Sequence, residues 1–170
     1  MPHQLAQVNI GRLAAPREST QMAGFFAALD PVNAVADAAE GFVWRLQTEE
    51  GNATAVTGFA WEQHGDHEVL INMSVWASLQ ALTAFVSGQA HRQVLRQRRQ
   101  WFEALAVATT CLWWVPDGHR PSVAEAEQRL LHLRAHGPTA EAFTFRQPFG
   151  PPAGTGSAPL GGETAPVARL

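Results

Sequence analysis

The chain has 170 residues, 46% of them hydrophobic, which is enough for one domain with a buried core. The formal charge of −3 gives no electrostatic argument for nucleic-acid binding, and no apolar run approaches the ~18 residues of a membrane-spanning helix. The single cysteine excludes an intrachain disulfide, and the N-terminus lacks a signal-peptide pattern, so we expect a cytoplasmic protein.

Residues 5–11 alternate between apolar and polar side chains, which predicts a first strand with Gln7 and Asn9 on its polar face. A helical pattern follows over residues 19–39. Within it, Asp30 followed by Pro31 is typical of an N-cap and first helical position, so we predict that a second helix or turn begins there.

Residues 42–47 predict a second strand, and because both of its faces are bulky the side on which Trp44 lies is left open. A long polar loop leads to a third strand over residues 68–76. One face of that strand is wholly apolar, whereas the other carries Asn72, Ser74 and Trp76.

Ser78 predicts the start of a helix that runs to about residue 86, and a second helical stretch covers residues 89 to about 105. Residues 109–116 predict a fourth strand. A last helix begins at Ser122, which forms a capping box with Glu125, and ends at Gly137.

The order of these elements is β-α-β-β-α-β with an extra C-terminal helix, which is typical of the ferredoxin-like fold. We therefore predict an α+β fold with a four-stranded antiparallel sheet in a domain of residues 1–146. A flexible tail rich in proline and glycine covers residues 147–170. In this fold one sheet face packs on the helices, and the other is commonly covered by a second subunit.

The polar sheet face needs hydrogen-bond partners if it is covered, and a partly polar cavity between the sheet and its cover would supply them. Such a cavity is the usual shape of a small-molecule site. Asn72 and Trp76 are its first candidates, although Trp76 equally suits core packing or a dimer interface, and Asn72 could bond a ligand, water or backbone.

His91 and Arg98 share one helical stripe with Leu95, at i, i+4 and i+7. A neutral imidazole suits a general base or a heme ligand, and the alternative is a structural, hydrogen-bonded histidine. Arg98 suits an anionic substrate group, and the alternative is a salt bridge to an acidic residue. The motifs "HGDH" and "HLRAH" lack a full ligand set, so no metal site is predicted.

The segment "INMSVWASLQALTAFVSGQAHRQVLRQRRQWF" resembles the sheet-to-helix part of the dimeric α+β-barrel superfamily, which includes antibiotic-biosynthesis monooxygenases and small heme-degrading monooxygenases. More closely, "QVNIGRL", "HRQVLRQRRQWF" and "AFTFRQPF" resemble a bacterial family described as a domain of unknown function. That resemblance covers residues 4 to about 149.

The superfamily resemblance implies two sets of site residues. Heme-degrading members use an asparagine on the first strand, a tryptophan on the helix after the third strand and a histidine as iron ligand. Asn9 and His91 match two of these, and Phe85 falls near the tryptophan position. Cofactor-free members hold an aromatic polyketide with asparagine, tryptophan and sometimes arginine, for which Asn72, Trp76 and Arg98 are the matches.

We therefore expect a homodimeric, oxygenase-like enzyme that acts on an aromatic or polyketide substrate without an organic cofactor. Asn72 and Trp76 would position the substrate, His91 would take a proton, and Arg98 would stabilise an oxyanion. The additional candidate lining residues are Asn9, Phe85 and Trp44. The alternatives are a heme-binding or heme-degrading protein with His91 as ligand, and a non-catalytic ligand-binding dimer.

Overall fold

The computed structural model describes residues 2–153. Its elements, in chain order, are β1 (His3–Arg12), α1 (Thr20–Asp37), β2 (Phe42–Arg45), β3 (Val69–Trp76), α2 (Leu79–Val86), α3 (Gln89–Trp101), β4 (Thr110–Pro116) and α4 (Val123–His136). The strands form one antiparallel sheet in the order β2-β3-β1-β4. The predicted ferredoxin-like α+β fold with an extra C-terminal helix is therefore confirmed.

Helix α1 is a single helix, and the predicted new start at Asp30 and Pro31 is wrong, because α1 continues through Pro31. Proline removes one backbone hydrogen bond in a helix interior, but packing on both sides of it offsets the loss. Before the proline, Met22 is buried in a cluster with Trp101 of α3, and after it Ala36 is buried as well.

The helical region after β3 divides as predicted. Ser78 precedes α2, and its hydroxyl accepts a hydrogen bond from the Ala81 amide at 3.1 Å. Helix α3 ends at Trp101, a few residues earlier than expected, because Phe102 takes an extended backbone conformation. No helix among residues 2–153 has both the length and the hydropathy needed to cross a bilayer.

The apolar face of the sheet is covered by α4 of the same chain. Ala6, Val8 and Ile10 of β1 are completely buried there, in one cluster with Leu130 of α4 and Phe59 of the loop before β3. A dimer that uses this face is incompatible with α4 in place. The predicted homodimer stays a prediction, and it needs another surface.

The polar face is covered by α1, α2 and α3, not by a second subunit as the sequence led us to expect. Leu82 of α2 packs with Trp76 of β3, while Met22 of α1 and Trp101 of α3 pack with Leu70 of β3. Both faces of the sheet are thus covered by helices of the described chain.

The chain continues to pack against the domain after residue 146, where the domain was predicted to end. Trp114 donates a hydrogen bond from Nε1 to the Phe149 carbonyl at 2.8 Å, and the rings of Phe143 and Phe149 lie 6.0 Å apart. Residues 154–170, which make up most of the predicted tail, lie outside the described residues.

Leu130→Ala tests whether α4 holds the apolar face. Because Leu130 is completely buried, we expect the free energy of unfolding, measured by urea denaturation, to fall by about 2–5 kcal/mol. Leu131→Ala is the matched control: its side chain is 46% exposed, and it should change stability far less. Equal losses in the two variants would contradict the assigned face of α4.

Candidate functional site

A cavity of about 290 Å³ lies between the polar face of the sheet and helices α1 to α3. Its volume is just below the ~300–1,000 Å³ typical of small-molecule pockets. The side chains that line it are aromatic and aliphatic for the most part. Its polar lining residues include Gln7, Asn9, Asn72, Ser74, His91, Arg98 and Thr110.

The structure brings six of the seven predicted site residues to this cavity. They are Asn9, Asn72, Trp76, Phe85, His91 and Arg98. The pairing of β1 with β3 places Asn9 and Asn72 together at the cavity, because the two residues lie opposite each other in the register. The other members come from α2 and α3, which fold back over this face.

Trp44 is placed elsewhere, and its predicted position in the site is corrected. It packs against the apolar-face core, because the register of β2 against β3 shifts between Phe42 and Trp44. Phe42 pairs with Trp76 and lines the cavity, while Trp44 pairs with Val75 of the opposite face. Such a register shift breaks the alternation of side chains, so alternation alone could not reveal the face on which Trp44 lies.

Trp76 is the centre of an aromatic wall. Its ring lies 5.0 Å from the stacked ring of Phe85 and 5.4 Å from Phe42, which meets it edge-on. The indole Nε1 donates to Ser74 Oγ at 2.8 Å. Phe85 in turn lies 5.3 Å from the His91 ring, so the wall ends beside the imidazole.

Gln7 connects the polar groups of β1 and β3. Its Nε2 donates to Asn72 Oδ1 at 2.7 Å and to Ser74 Oγ at 3.0 Å. Asn72 is nevertheless the one exposed residue of β3, because its side chain borders the cavity. Alternation placed Gln7 on the polar face, but nothing in the sequence indicated its two hydrogen bonds.

Arg98 is a cavity cation that pairs with no carboxylate among the described residues. It donates to Asn9 Oδ1 at 3.3 Å, and Asn9 Nδ2 donates to Thr110 Oγ1 at 2.6 Å. The guanidinium carbon of Arg98 lies 5.5 Å from the centre of the Phe102 ring. That ring packs so closely on Gly11 that a Cβ atom added to Gly11 would lie 2.5 Å from it.

Burial penalises the charged form of Arg98 and lowers the pKa of its guanidinium. An anionic ligand group would supply the charge that the surrounding side chains do not. Arg45 also lines the cavity, but it forms a salt bridge to Asp37 at 2.7 Å and is therefore already neutralised.

The Nδ1 atom of His91 is buried, and no side chain among the described residues forms a hydrogen bond with it. Burial lowers the pKa of His91, and the Val86 backbone carbonyl offsets part of that effect. The neutral imidazole therefore prevails at neutral pH, and a nitrogen lone pair can accept a proton.

The described residues contain no group of three or more histidine, cysteine or acidic side chains that could hold a metal ion. Cys111 is buried on the apolar face, away from the cavity, and burial raises the pKa of its thiol to about 12. A thiol with so high a pKa is a poor nucleophile at neutral pH.

Comparison with known proteins identifies the family. Residues 4–158 match the family described as "Domain of unknown function (DUF3291)". The chain belongs to this family. This match confirms the resemblance of the sequence motifs to a bacterial family described as a domain of unknown function. A search of curated proteins found no match.

Several solved structures have a similar fold at low identity. SnoaB, a cofactor-independent oxygenase from Streptomyces nogalater, is 14% identical, with 71% of this chain and 96% of that chain covered and a TM-score of 0.41. A dabb family protein with a ferredoxin-like fold from Mesorhizobium loti is also 14% identical, with 68% and 99% covered and a TM-score of 0.43. A protein from Pseudomonas aeruginosa is 13% identical, with 72% and 98% covered and a TM-score of 0.44.

The buried position of His91 predicts its titration. We expect the imidazole resonance that disappears in His91→Gln to titrate below the unperturbed value of 6.5. As the pH drops below about 6.5, the unfolded chain therefore protonates His91 before the folded chain does. The free energy of unfolding attributable to His91 falls between the unfolded-state and the folded-state pKa. NMR titration measures the midpoint, and a midpoint at or above 6.5 would contradict the burial argument.

Proposed function

We propose that this protein is an oxygenase-like enzyme that oxidises a small aromatic or polyketide substrate in the cavity, without an organic cofactor. One observation carries the proposal: His91, whose burial favours the neutral imidazole, and Arg98, which has no carboxylate partner among residues 2–153, border the same aromatic-lined cavity. The resemblance of residues 71–102 to antibiotic-biosynthesis monooxygenases supports the reaction class.

His91 would act as general base and remove a proton from an acidic C–H or O–H of the substrate. Arg98 and the Asn72 amide would hydrogen-bond the oxygen on which negative charge develops. Trp76 and Phe85 form the aromatic wall against which the rings of the substrate would lie. Each role uses a group that the described chain already holds in place at the cavity.

The enolate formed by deprotonation is itself the electron donor to dioxygen, which is why no organic cofactor is required. For an anthrone, the methylene carbon gains one oxygen atom and loses its two hydrogens, and the second oxygen atom leaves as water. The overall reaction, anthrone plus dioxygen giving anthraquinone plus water, balances in atoms and electrons.

Heme binding with His91 as ligand is the alternative, because His91 lines the cavity. The cavity volume argues against it, because about 290 Å³ leaves little room for a macrocycle of four pyrrole rings. The Phe85 ring, 5.3 Å from the imidazole, fills part of the space beside it. The residues therefore fit a small aromatic ligand better than heme.

Oxygen consumption with anthrone as probe tests the proposal. We expect His91→Gln to lower kcat about 10²-fold or more, because the base is removed. Arg98→Met should lower kcat/KM by a similar factor, because the donor to the oxyanion is lost. Arg99→Met is the matched control, since Arg99 is exposed in the same last turn of α3 and should retain wild-type rates.

Three results would contradict this function. Anthrone binding without oxygen consumption would favour a non-catalytic ligand-binding protein. Equal rates in His91→Gln and the wild type would remove His91 from the reaction. Stoichiometric hemin binding with a Soret band that is lost in His91→Ala would favour the heme alternative.

A further inference from the structure

We infer that Gln7 sets the ligand specificity of the cavity, by holding the Asn72 side chain with its NH₂ group available to the ligand. The site then selects aromatic ligands that carry an oxygen acceptor, such as a ketone, over ligands of similar shape that carry a hydrogen-bond donor. The inference rests on the proposed function in so far as the cavity is the ligand site.

The geometry begins with one stripe of β3. Asn72, Ser74 and Trp76 point to the same sheet face, two residues apart, and Gln7 of β1 lies directly opposite Ser74. Gln7 is only 7% exposed, so its amide is held among these neighbours and has little freedom to turn. One side chain on β1 therefore contacts the middle of the β3 stripe.

Both hydrogens of the Gln7 amide are used. One is donated to Asn72 Oδ1 and the other to Ser74 Oγ. Ser74 Oγ also accepts from Trp76 Nε1, which can only donate. The indole, the hydroxyl and the two amides thus form one connected network, and rotating the Asn72 amide would break its bond to Gln7.

Because Gln7 Nε2 donates to Asn72 Oδ1, the Asn72 amide is oriented with its oxygen toward Gln7, and Asn72 Nδ2 is left to donate to a ligand. It has no hydrogen-bond partner among the described residues, and the Asn72 side chain is exposed to the cavity. Asn9 lies opposite Asn72 in the register and accepts a hydrogen bond from Arg98. The Asn72 amide and the Arg98 guanidinium therefore present donors at the same part of the sheet.

A ligand oxygen at this position accepts from the Asn72 amide and the Arg98 guanidinium, whereas an amine in the same place sets its own N–H groups against those two donors. Sites built to hydrogen-bond one group discriminate strongly against analogues that leave the partner unpaired. Gln7 does not need to touch the ligand for this effect. It is a positioning residue, and it acts through Asn72.

Equilibrium dialysis with 1-tetralone, 1-aminonaphthalene and naphthalene tests the inference. We expect the wild type to bind the ketone at least about tenfold more tightly than the amine. Gln7→Met should bring this ratio close to one, because the Asn72 amide can then rotate freely. Gln7→Glu should favour the amine, because a carboxylate accepts from Asn72 Nδ2 and leaves Oδ1 for the ligand.

Naphthalene makes no hydrogen bond, so its unchanged affinity in each variant shows that the cavity is intact. Gln4→Met is the matched control: it is the same substitution on the same strand, at a residue that does not line the cavity, and it should keep the wild-type ratio. If the wild type prefers the amine, or if Gln7→Met keeps the wild-type ratio of ketone to amine affinity, the inference about Gln7 is wrong and the proposed function is unaffected. Failure of the wild type to bind any of the three probes would overturn the proposed function with it.

Discussion

The pairing of β1 with β3 is the constraint on which the rest of the structure depends. This register sets Gln7 opposite Ser74 and Asn9 opposite Asn72, so the polar side chains of two central strands meet on one face. Alternation then leaves the other face wholly apolar. A slip of one residue would exchange the two faces, which would bury the amides in the apolar core and expose the core residues to the cavity.

The two faces require different covers. The apolar face is covered by α4 and Phe59. This is expected, because removing apolar surface from water stabilises the folded protein without any need for specific partners. The polar face cannot be sealed in this way, because each buried amide or hydroxyl needs a partner. Gln7, Ser74 and Trp76 satisfy one another there, and the remaining groups border a cavity. The cavity is thus a consequence of covering a polar sheet face with helices that turn mostly apolar side chains toward it.

Charged groups differ in the same way, since some are paired within the described chain and Arg98 is not. Glu62 is nearly buried, but it pairs with Arg134 of α4 and lies near Arg12 of β1, so these charges stabilise the contact between the loop and the sheet. Arg98 is half-buried, has no carboxylate partner between residues 2 and 153, and is oriented by neutral Asn9 and the Phe102 ring. A cation that the protein positions but does not neutralise is a group suited to binding an anion.

Local patterns in the sequence determined the four strands, the polar and apolar sides of β1 and β3, and the caps of α2 and α4, because alternation, periodicity and capping depend on residues close in the chain. Only the tertiary structure decided which helices cover which face, because that depends on where α4 docks. A register shift in β2 placed Trp44 on the apolar face of the sheet, and packing allowed α1 to continue through Pro31. The fold also brought Arg98 within hydrogen-bonding distance of Asn9, which lies 89 positions earlier in the chain. Contacts between residues so far apart depend on the relative placement of whole elements, which no local pattern contains.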